Sequence, residues 1–112
     1  MFTSSAVLMV TSHVESPDDR VSFDRWYADD HMPSAKETLL AQRSWRAWNT
    51  DNPAIHYAFY EFSSIDDLDE AMASQGIRDL IAEYDSRWPN NVRRSREVLR
   101  VAQILPELGR TN

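Results

Sequence analysis

Two hydrophobic periodicities alternate along this sequence, and their order restricts the folds open to the chain. Apolar residues at every second position are typical of strands, whereas apolar residues three and four positions apart are typical of helices. In chain order they predict a strand, a helix, two strands, a helix and a final strand. With 112 residues there is room for one core, so we expect a single domain over residues 1–112.

Four segments carry the strand pattern. The first is apolar on both faces, which is typical of a central strand covered on both sides. The second and third are separated by the turn-forming residues Asp51, Asn52 and Pro53, and therefore predict a hairpin. The four predicted strands are residues 5–14, 43–50, 55–62 and 97–105.

The first helical segment, residues 22–32, places four ring side chains on one stripe. They are Phe23, Trp26, Tyr27 and His31. Proline disfavours helical geometry at the residue before it, so Pro33 predicts that the helix ends or kinks beside His31.

The second helical segment begins at Ser64, a candidate N-cap followed by acidic residues. Gly76 interrupts its apolar pattern, and a longer amphipathic run follows, which Pro89 ends. The buried stripe of the longer run is predicted to contain Ile77, Leu80, Ile81, Tyr84 and Trp88.

This order of elements is the split β-α-β pattern of the ferredoxin-like fold, an α+β class with an antiparallel sheet. Helices cover only one face of such a sheet, so its other face needs cover as well. Trp45, Tyr57 and Phe59 are predicted to lie on one face, and a solvated face does not normally carry such side chains. We therefore expect a homodimer in which two sheets meet and form a dimeric α+β barrel.

Charge and hydropathy exclude several classes of partner. The net charge of −6 argues against general affinity for nucleic acid, because binding phosphates needs a basic face. No apolar run approaches the roughly 18 residues of a membrane span. The first apolar run lacks a preceding basic region, and the sequence has no cysteine, so we expect a cytoplasmic protein without a secretory signal.

Arginines are concentrated towards the C-terminus. They are Arg87, Arg93, Arg94, Arg96 and Arg100. One interpretation is that they pair with acidic helices, within the subunit or across a dimer. The other is an anion-binding patch, because the guanidinium fork matches the geometry of a carboxylate.

The first helix and the third strand resemble a known family. Phe23-Asp24-Arg25-Trp26-Tyr27, with His31 and Pro33, resembles the first-helix signature of EthD-like members of the dimeric α+β barrel superfamily. Tyr57-Ala58-Phe59-Tyr60-Glu61-Phe62, followed by Ser64-Ile65-Asp66-Asp67-Leu68, is similar to the third strand and second helix of that family. The resemblance covers nearly the whole chain.

The resemblance implies a dimeric barrel and a range of activities. The superfamily contains muconolactone-type isomerases, polyketide cyclases, cofactor-free monooxygenases of aromatic polyketides, haem-degrading enzymes and haem peroxidases. In similar proteins the pocket lies between the sheet and its covering helices, and the histidine of the first helix faces it. The resemblance thus implies that His31 faces the pocket, with Tyr27 as a neighbour one turn away.

Three residues are candidates for chemistry. His31 titrates near neutrality and is suited to carry a proton to or from a substrate, with Tyr27 beside it. The alternative is that His31 only satisfies carbonyl groups at a helix end. A buried Glu61 beside aromatic rings would be a candidate general acid or base, or else the partner of an arginine.

Aromatic side chains are the candidates for substrate binding. A small barrel lined with tryptophan and tyrosine suits a flat, apolar organic ligand. The alternative is that the rings only fill the core and an interface. The candidates are Trp26, Trp45, Tyr57, Phe59, Tyr60 and Trp88.

We expect neither a metal nor another cofactor. His13, His31 and His56 are scattered, and metal-binding spacings are missing from the sequence. Two glycines cannot form the usual phosphate-binding loops. Haem ligation needs only one histidine, so His31 as an axial ligand stays open.

Three functional hypotheses follow. The leading one is a cofactor-free enzyme that acts on a small, largely apolar metabolite by acid–base chemistry, with His31 as the proton shuttle. Isomerases, cyclases, lyases and lactone hydrolases all work in this way. The alternatives are a cofactor-free monooxygenase of an aromatic substrate and a non-catalytic protein that binds a ligand for a neighbouring enzyme.

Overall fold

The computed structural model describes residues 5–106. Its strands are β1 (Ala6–Val14), β2 (Arg43–Trp48), β3 (Ile55–Phe62) and β4 (Val92–Arg100). Its helices are α1 (Pro17–Trp26), α2 (Met32–Leu39), α3 (Ile65–Met72) and α4 (Gln75–Arg87). A π-helical segment, Tyr27–His31, joins α1 to α2 without a break.

The four strands form one antiparallel sheet in the order β2-β3-β1-β4. The two-sided apolar strand β1 lies inside the sheet, paired with β3 on one side and β4 on the other. The predicted hairpin of β2 and β3 is present, with Trp45 opposite Phe59. The ferredoxin-like α+β fold predicted from the order of elements is confirmed.

The hydrophobic core lies between the helices and one face of the sheet. Side chains alternate between the two faces of a strand, and only the even-numbered positions of β1 and β3 contribute to the core. From the sheet these residues are Ala6, Leu8, Val10, Val14, Ala58, Tyr60 and Phe62. From the helices and the π-helical segment they are Phe23, Trp26, Tyr27, Ala35, Leu39, Leu68, Ile77, Leu80 and Tyr84.

The other sheet face carries a second set of aromatic rings. Trp45 stacks on Phe59 with ring centroids 5.2 Å apart, and Tyr57 lies beside Phe59 at 6.4 Å. Trp45 is 39% exposed. None of the three belongs to the core beneath the helices, as the alternation predicted.

Serine side chains cap both α3 and α4, and the break between these helices lies before Gly76, at Ala73 and Ser74. Ser64 Oγ accepts a hydrogen bond from the Asp67 amide, so the predicted cap of α3 is confirmed. Ser74 Oγ accepts one from the Ile77 amide and caps α4 in the same way. Gly76 lies in the first turn of α4, where a Cβ atom would come within 2.5 Å of Thr38 Cγ2. Glycine therefore allows α4 to pack closely against α2.

The sequence pattern predicted the last strand five residues too far towards the C-terminus. β4 covers Val92–Arg100 and not residues 97–105. Helix α4 ends at Arg87, so a short connection brings the chain back to Val14, which pairs with Val92. Within the described residues the β1–β4 ladder ends where Ala6 pairs with Arg100, one residue before the Val101 amide donates to the Ser5 carbonyl.

Pro33 was predicted to end or kink the helix beside His31, and the helix does not end there but passes through a π-helical turn. Met32 has helical angles (φ −67°, ψ −44°), and its amide donates to the carbonyl of Tyr27, five residues earlier. A proline ring collides with the carbonyl four residues before it in a regular α-helix, which for Pro33 is that of Asp29. The wider π-helical turn gives room for this ring, so the chain passes Pro33 as a helix.

The helices of residues 5–106 include none that is both long and apolar enough to cross a membrane.

Candidate active site

His31 lies at the end of the π-helical segment, and its imidazole is buried against aromatic rings. The side chain stacks on Trp26, with centroids 4.5 Å apart, and meets Tyr27 and Tyr84 edge-on at 4.9 and 5.8 Å. Single π-helical turns within α-helices are frequent at functional sites. Because the helix continues through Pro33, His31 does not close a helix end, and that alternative role is excluded by the backbone.

The imidazole is uncharged at neutral pH. Burial and, to a smaller extent, the positive charge of Arg94 lower the pKa of His31 from 6.5 to about 4. His31 Nδ1 is buried and makes no hydrogen bond within residues 5–106. The nearest carboxylate oxygen, Glu83 Oε1, is 3.9 Å from Nδ1 and lies on a half-exposed side chain. A buried nitrogen without a partner is costly, so a ligand atom that pairs with it would be stabilised.

His31 borders a cavity of about 30 Å³ between the sheet and the helices. Its polar lining consists of His31, Tyr27, Tyr60, Tyr84 and two arginines, Arg94 and Arg96. The remaining lining is apolar: Leu8, Val10, Ala35, Leu39, Ile77, Leu80 and Ile81. A cavity of this size holds about one water molecule, so an organic ligand enters only if the rim moves.

The two phenols beside His31 keep their protons. Burial raises the pKa of Tyr60 to about 12 and raises that of Tyr27 well above 10, with the neighbouring Tyr60 hydroxyl adding to the effect on Tyr27. Tyr60 is buried, and the Tyr27 hydroxyl beside it donates towards Tyr60 Oη, which raises the pKa of Tyr27 and lowers that of Tyr60. The Tyr60 hydroxyl can therefore donate a hydrogen bond to a ligand atom in the cavity.

The structure brings together some of the candidates and separates others. Tyr27, His31 and Tyr60 all line the cavity, and the indole of Trp26 stacks on the imidazole of His31. Trp88 belongs to the same aromatic cluster, 6.0 Å from Trp26, but it does not line the cavity.

Glu61 lies apart from His31. It follows Tyr60 on β3 and therefore points to the opposite sheet face, together with Trp45, Tyr57 and Phe59. Its carboxylate is held by Arg43 through two hydrogen bonds of 2.8 and 3.3 Å. Of the two roles expected for Glu61, general acid or base and partner of an arginine, the geometry agrees with the arginine partner.

Four polar residues at or near the cavity were not among the candidate site residues predicted from the sequence. Tyr84 Oη and Ser12 Oγ are 2.6 Å apart, and Arg94 and Arg96 enter the lining from β4. The sequence predicted a C-terminal arginine cluster, but it placed the last strand at residues 97–105, after both arginines. Their spacing of two residues was the signal that both point to one face.

The C-terminal arginines have mixed roles. Arg94 pairs at 2.9 Å with Asp85 of α4, as the first interpretation of the cluster expected, whereas Arg93 pairs at 3.1 Å with Glu15, which lies between β1 and α1. The guanidinium of Arg87 lies over the Trp88 ring at 4.2 Å. Arg96, in contrast, forms no ion pair within residues 5–106.

A second buried histidine lies behind the site. His56 is fully buried on β3, in ring contact with Tyr27 at 4.6 Å, and its Nε2 is 3.3 Å from Arg46 Nη1. Burial, followed by the charge of Arg46, lowers the pKa of His56 to about 3. His56 does not line the cavity, and it contacts the cavity only through the ring of Tyr27.

Solved structures share this arrangement of strands and helices. A single-residue variant of SnoaB, described as a cofactor-independent oxygenase from Streptomyces nogalater, matches with a TM-score of 0.67 at 14% identity, over 93% of this chain and 99% of that chain. SnoaB itself gives a TM-score of 0.64 at 13% identity over the same shares. An ethyl tert-butyl ether d (ethd) family protein from Bacillus halodurans C-125 gives 0.63 at 11% identity, over 85% of this chain and 98% of that chain.

The chain has the fold of these proteins. The resemblance of the first helix and third strand to EthD-like members of the dimeric α+β barrel superfamily is thereby confirmed at the level of the fold. The sequence matches no protein-family model and no curated protein.

Proposed function

We propose that this chain is a cofactor-independent enzyme that moves a proton on a small, largely apolar organic molecule, with His31 as the acceptor. The observation that carries the proposal is the uncharged, buried imidazole of His31, which has an unpaired nitrogen and borders a cavity with two protonated phenols. A neutral imidazole at physiological pH is ready to accept a proton, which an imidazolium is not.

The first step is the removal of a proton from an acidic C–H or O–H group of the substrate. The proton goes to the imidazole, and the electron pair stays on the substrate as an enolate or a related anion. In this proposal the Tyr60 hydroxyl donates a hydrogen bond to that anion, and Tyr27, which also lines the cavity, donates to Tyr60. Forming the anion beside His31 also favours the imidazolium, because opposite charges in a cavity of low polarity attract strongly.

Two reactions start from that anion. In an isomerase, cyclase or lyase, the proton returns to another atom or a bond rearranges. In an oxygenase, the anion transfers electrons to O2, and a CH2 group becomes a carbonyl while the second oxygen atom leaves as water. The description of SnoaB as a cofactor-independent oxygenase makes oxygenation the second candidate for this chain.

The proposal is tested by hydrogen exchange on a planar ketone with an acidic CH2 group, for which 2-tetralone is the probe. We expect the wild-type protein to accelerate the exchange of the CH2 hydrogens with D2O at least tenfold over buffer, as followed by proton NMR. His31→Asn should return the rate to that of buffer, because the proton acceptor is lost. His13→Asn is the matched control, since His13 lies on the other sheet face.

Oxygen uptake separates the two reactions. We expect an oxygenase to consume O2 with anthrone as substrate and to form anthraquinone, without added flavin or metal. Exchange without oxygen uptake would favour the isomerase or lyase type. Equal exchange rates in the wild type and in His31→Asn would contradict the acid–base proposal and leave a ligand-binding protein as the better explanation.

We also propose that two copies of the chain pair through the sheet face that carries Trp45, Tyr57 and Phe59. Large apolar rings on an exposed sheet face mark an interaction surface. The rings are stacked and half-exposed, and the helices pack on the opposite face. A second copy of the chain presents the same apolar surface, so the two faces can bury each other and exclude water.

A further inference from the structure

Two arginines enter the His31 cavity from the same strand. Arg94 and Arg96 are alternate residues of β4, opposite Ser12 and Val10 of β1, and their side chains point to the helix-covered face. Both line the cavity together with His31. β4 is an edge strand, so both residues lie beside the outer rim of the cavity.

The two guanidinium groups are neutralised to different degrees. Arg94 Nη2 is 2.9 Å from Asp85 Oδ1, and its guanidinium lies over the Tyr84 ring at 4.0 Å. Arg96 has no ion-pair partner in residues 5–106. Burial and the charge of Arg94 lower the pKa of Arg96, with Asp85 opposing the shift. The rim of the cavity thus carries two positive charges and one paired carboxylate.

The remaining charged groups near the cavity do not remove this excess. Glu83 lies 3.9 Å from His31 Nδ1, half-exposed to solvent, and it forms no ion pair with Arg96. The other polar lining consists of phenols that keep their protons. The site therefore has an apolar interior, a neutral base and, at its rim, an arginine that forms no ion pair in the described part of the chain.

We propose that Arg96, with Arg94 beside it, binds a carboxylate carried by the substrate, while the apolar body of the substrate extends towards His31. This inference rests on the proposed function for its substrate and adds the chemical class: a small aromatic or apolar carboxylic acid. The planar fork of arginine matches a carboxylate with two parallel hydrogen bonds. The exposed Arg96 side chain can also move to admit the ligand without disturbing the core.

The experiment compares benzoate with benzamide, which has the same shape and no charge. Benzoate is among the smallest aromatic carboxylates and therefore needs less opening of the cavity than a larger ligand would. Binding is followed by chemical-shift changes of the 15N-labelled full chain, including the indole signal of Trp26. We expect the wild-type protein to bind benzoate at least fivefold more tightly than benzamide.

The variants locate the preference. We expect Arg96→Gln to reduce the ratio of the two affinities to within twofold, and Arg96→Lys to keep part of it. Arg100→Gln is the matched control, because it removes the same charge from the same face of β4 but lies outside the cavity lining. It should leave the ratio unchanged.

Three results would overturn the carboxylate subsite: no binding of benzoate to the wild type, equal affinities for the two probes, or a preference that survives in Arg96→Gln. The outcome is independent of turnover. Benzoate binding that depends on Arg96 but occurs without exchange on 2-tetralone would keep the subsite and reject the proposed chemistry. Exchange that depends on His31, without any preference for benzoate, would do the opposite.

Discussion

The imidazole of His31 stacks on the indole of Trp26, with ring centroids 4.5 Å apart and ring planes 17° apart. The indole therefore covers one face of the imidazole and keeps water from it. Burial is the largest cause of the low pKa of His31, so this single contact links the packing of α1 to the charge state of the candidate base.

We expect Trp26→Leu to raise the pKa of His31 from about 4 towards 6.5, by about one unit, because water gains access to the imidazole. The measurement is an NMR titration of the histidine Cε1 proton. Trp88→Leu is the matched control, since it removes a buried tryptophan that has no ring contact with His31. An unchanged pKa in Trp26→Leu would show that the stack does not exclude water.

The two buried histidines predict a loss of stability in mild acid. The pKa values of His31 and His56 are about 4 and about 3 in the folded chain, below the 6.5 of an unfolded histidine. The unfolded chain therefore binds more protons between about pH 6.5 and 4. As the pH is lowered through that range, the free energy of unfolding should decrease by roughly 1 kcal/mol per pH unit for each histidine.

Urea denaturation at several pH values measures this slope. Above about pH 7 neither histidine is charged in either state, so their contribution to the slope should vanish there. His31→Asn should reduce the slope near pH 5 by about half, since only His56 remains. A slope that is the same with and without His31 would contradict the burial of a neutral imidazole.

The close contact between Gly76 and Thr38 predicts that the effect of Gly76→Ala on stability changes sign when Thr38 is also substituted. In Gly76→Ala the new Cβ would lie 2.5 Å from Thr38 Cγ2, and such overpacking costs about 1–3 kcal/mol. Alanine is favoured over glycine in a helix by up to about 1 kcal/mol. We therefore expect Gly76→Ala to destabilise the wild type but to stabilise Thr38→Ser, which lacks the Cγ2 atom.

Thermal or urea denaturation of the four proteins in this cycle gives the coupling free energy directly. Destabilisation by Gly76→Ala in both backgrounds would mean that an atom other than Thr38 Cγ2 limits the approach of α4 to α2. Stabilisation in both would mean that the Thr38 side chain moves away at no cost.

Most of the fold follows from alternation along the strands. The faces of β1 and β3 were predicted correctly because a period of two fixes which side chains share a face. The prediction placed β4 too late in the sequence. The position of this strand depends on the length of the connection after α4 and on its pairing with β1, and its hydrophobic pattern reports neither. As an edge strand it also tolerates charged residues that weaken the strand pattern.

The candidate site was predicted in part for the same reason. Tyr27 and His31 reach the cavity together, as their spacing suggested, although through a π-helical turn that the sequence did not indicate. Tyr60 and Glu61 are neighbours in sequence and therefore face opposite sides of the sheet. The sequence does not indicate which face of the sheet borders the cavity, so both residues were candidates for the site. Only Tyr60 lines the cavity.

The last prediction concerns the uncovered face of the sheet. Phe59 stacks between Trp45 and Tyr57, so an aspartate at position 59 would place a charge among the three rings. If two copies pair through this face, Phe59→Asp should convert a dimer to a monomer, because an unpaired charge buried in an apolar interface costs several kcal/mol. The fold should persist, since Phe59 lies outside the core beneath the helices.

Sedimentation velocity measures the change in mass, and circular dichroism verifies the fold. Val21→Asp is the matched control: Val21 is an apolar residue of α1, 65% exposed, and the substitution introduces the same charge away from the sheet. It should leave the dimer intact. A wild-type protein that sediments as a monomer, or a Phe59→Asp variant that remains dimeric, would contradict pairing through these rings and require another partner for them.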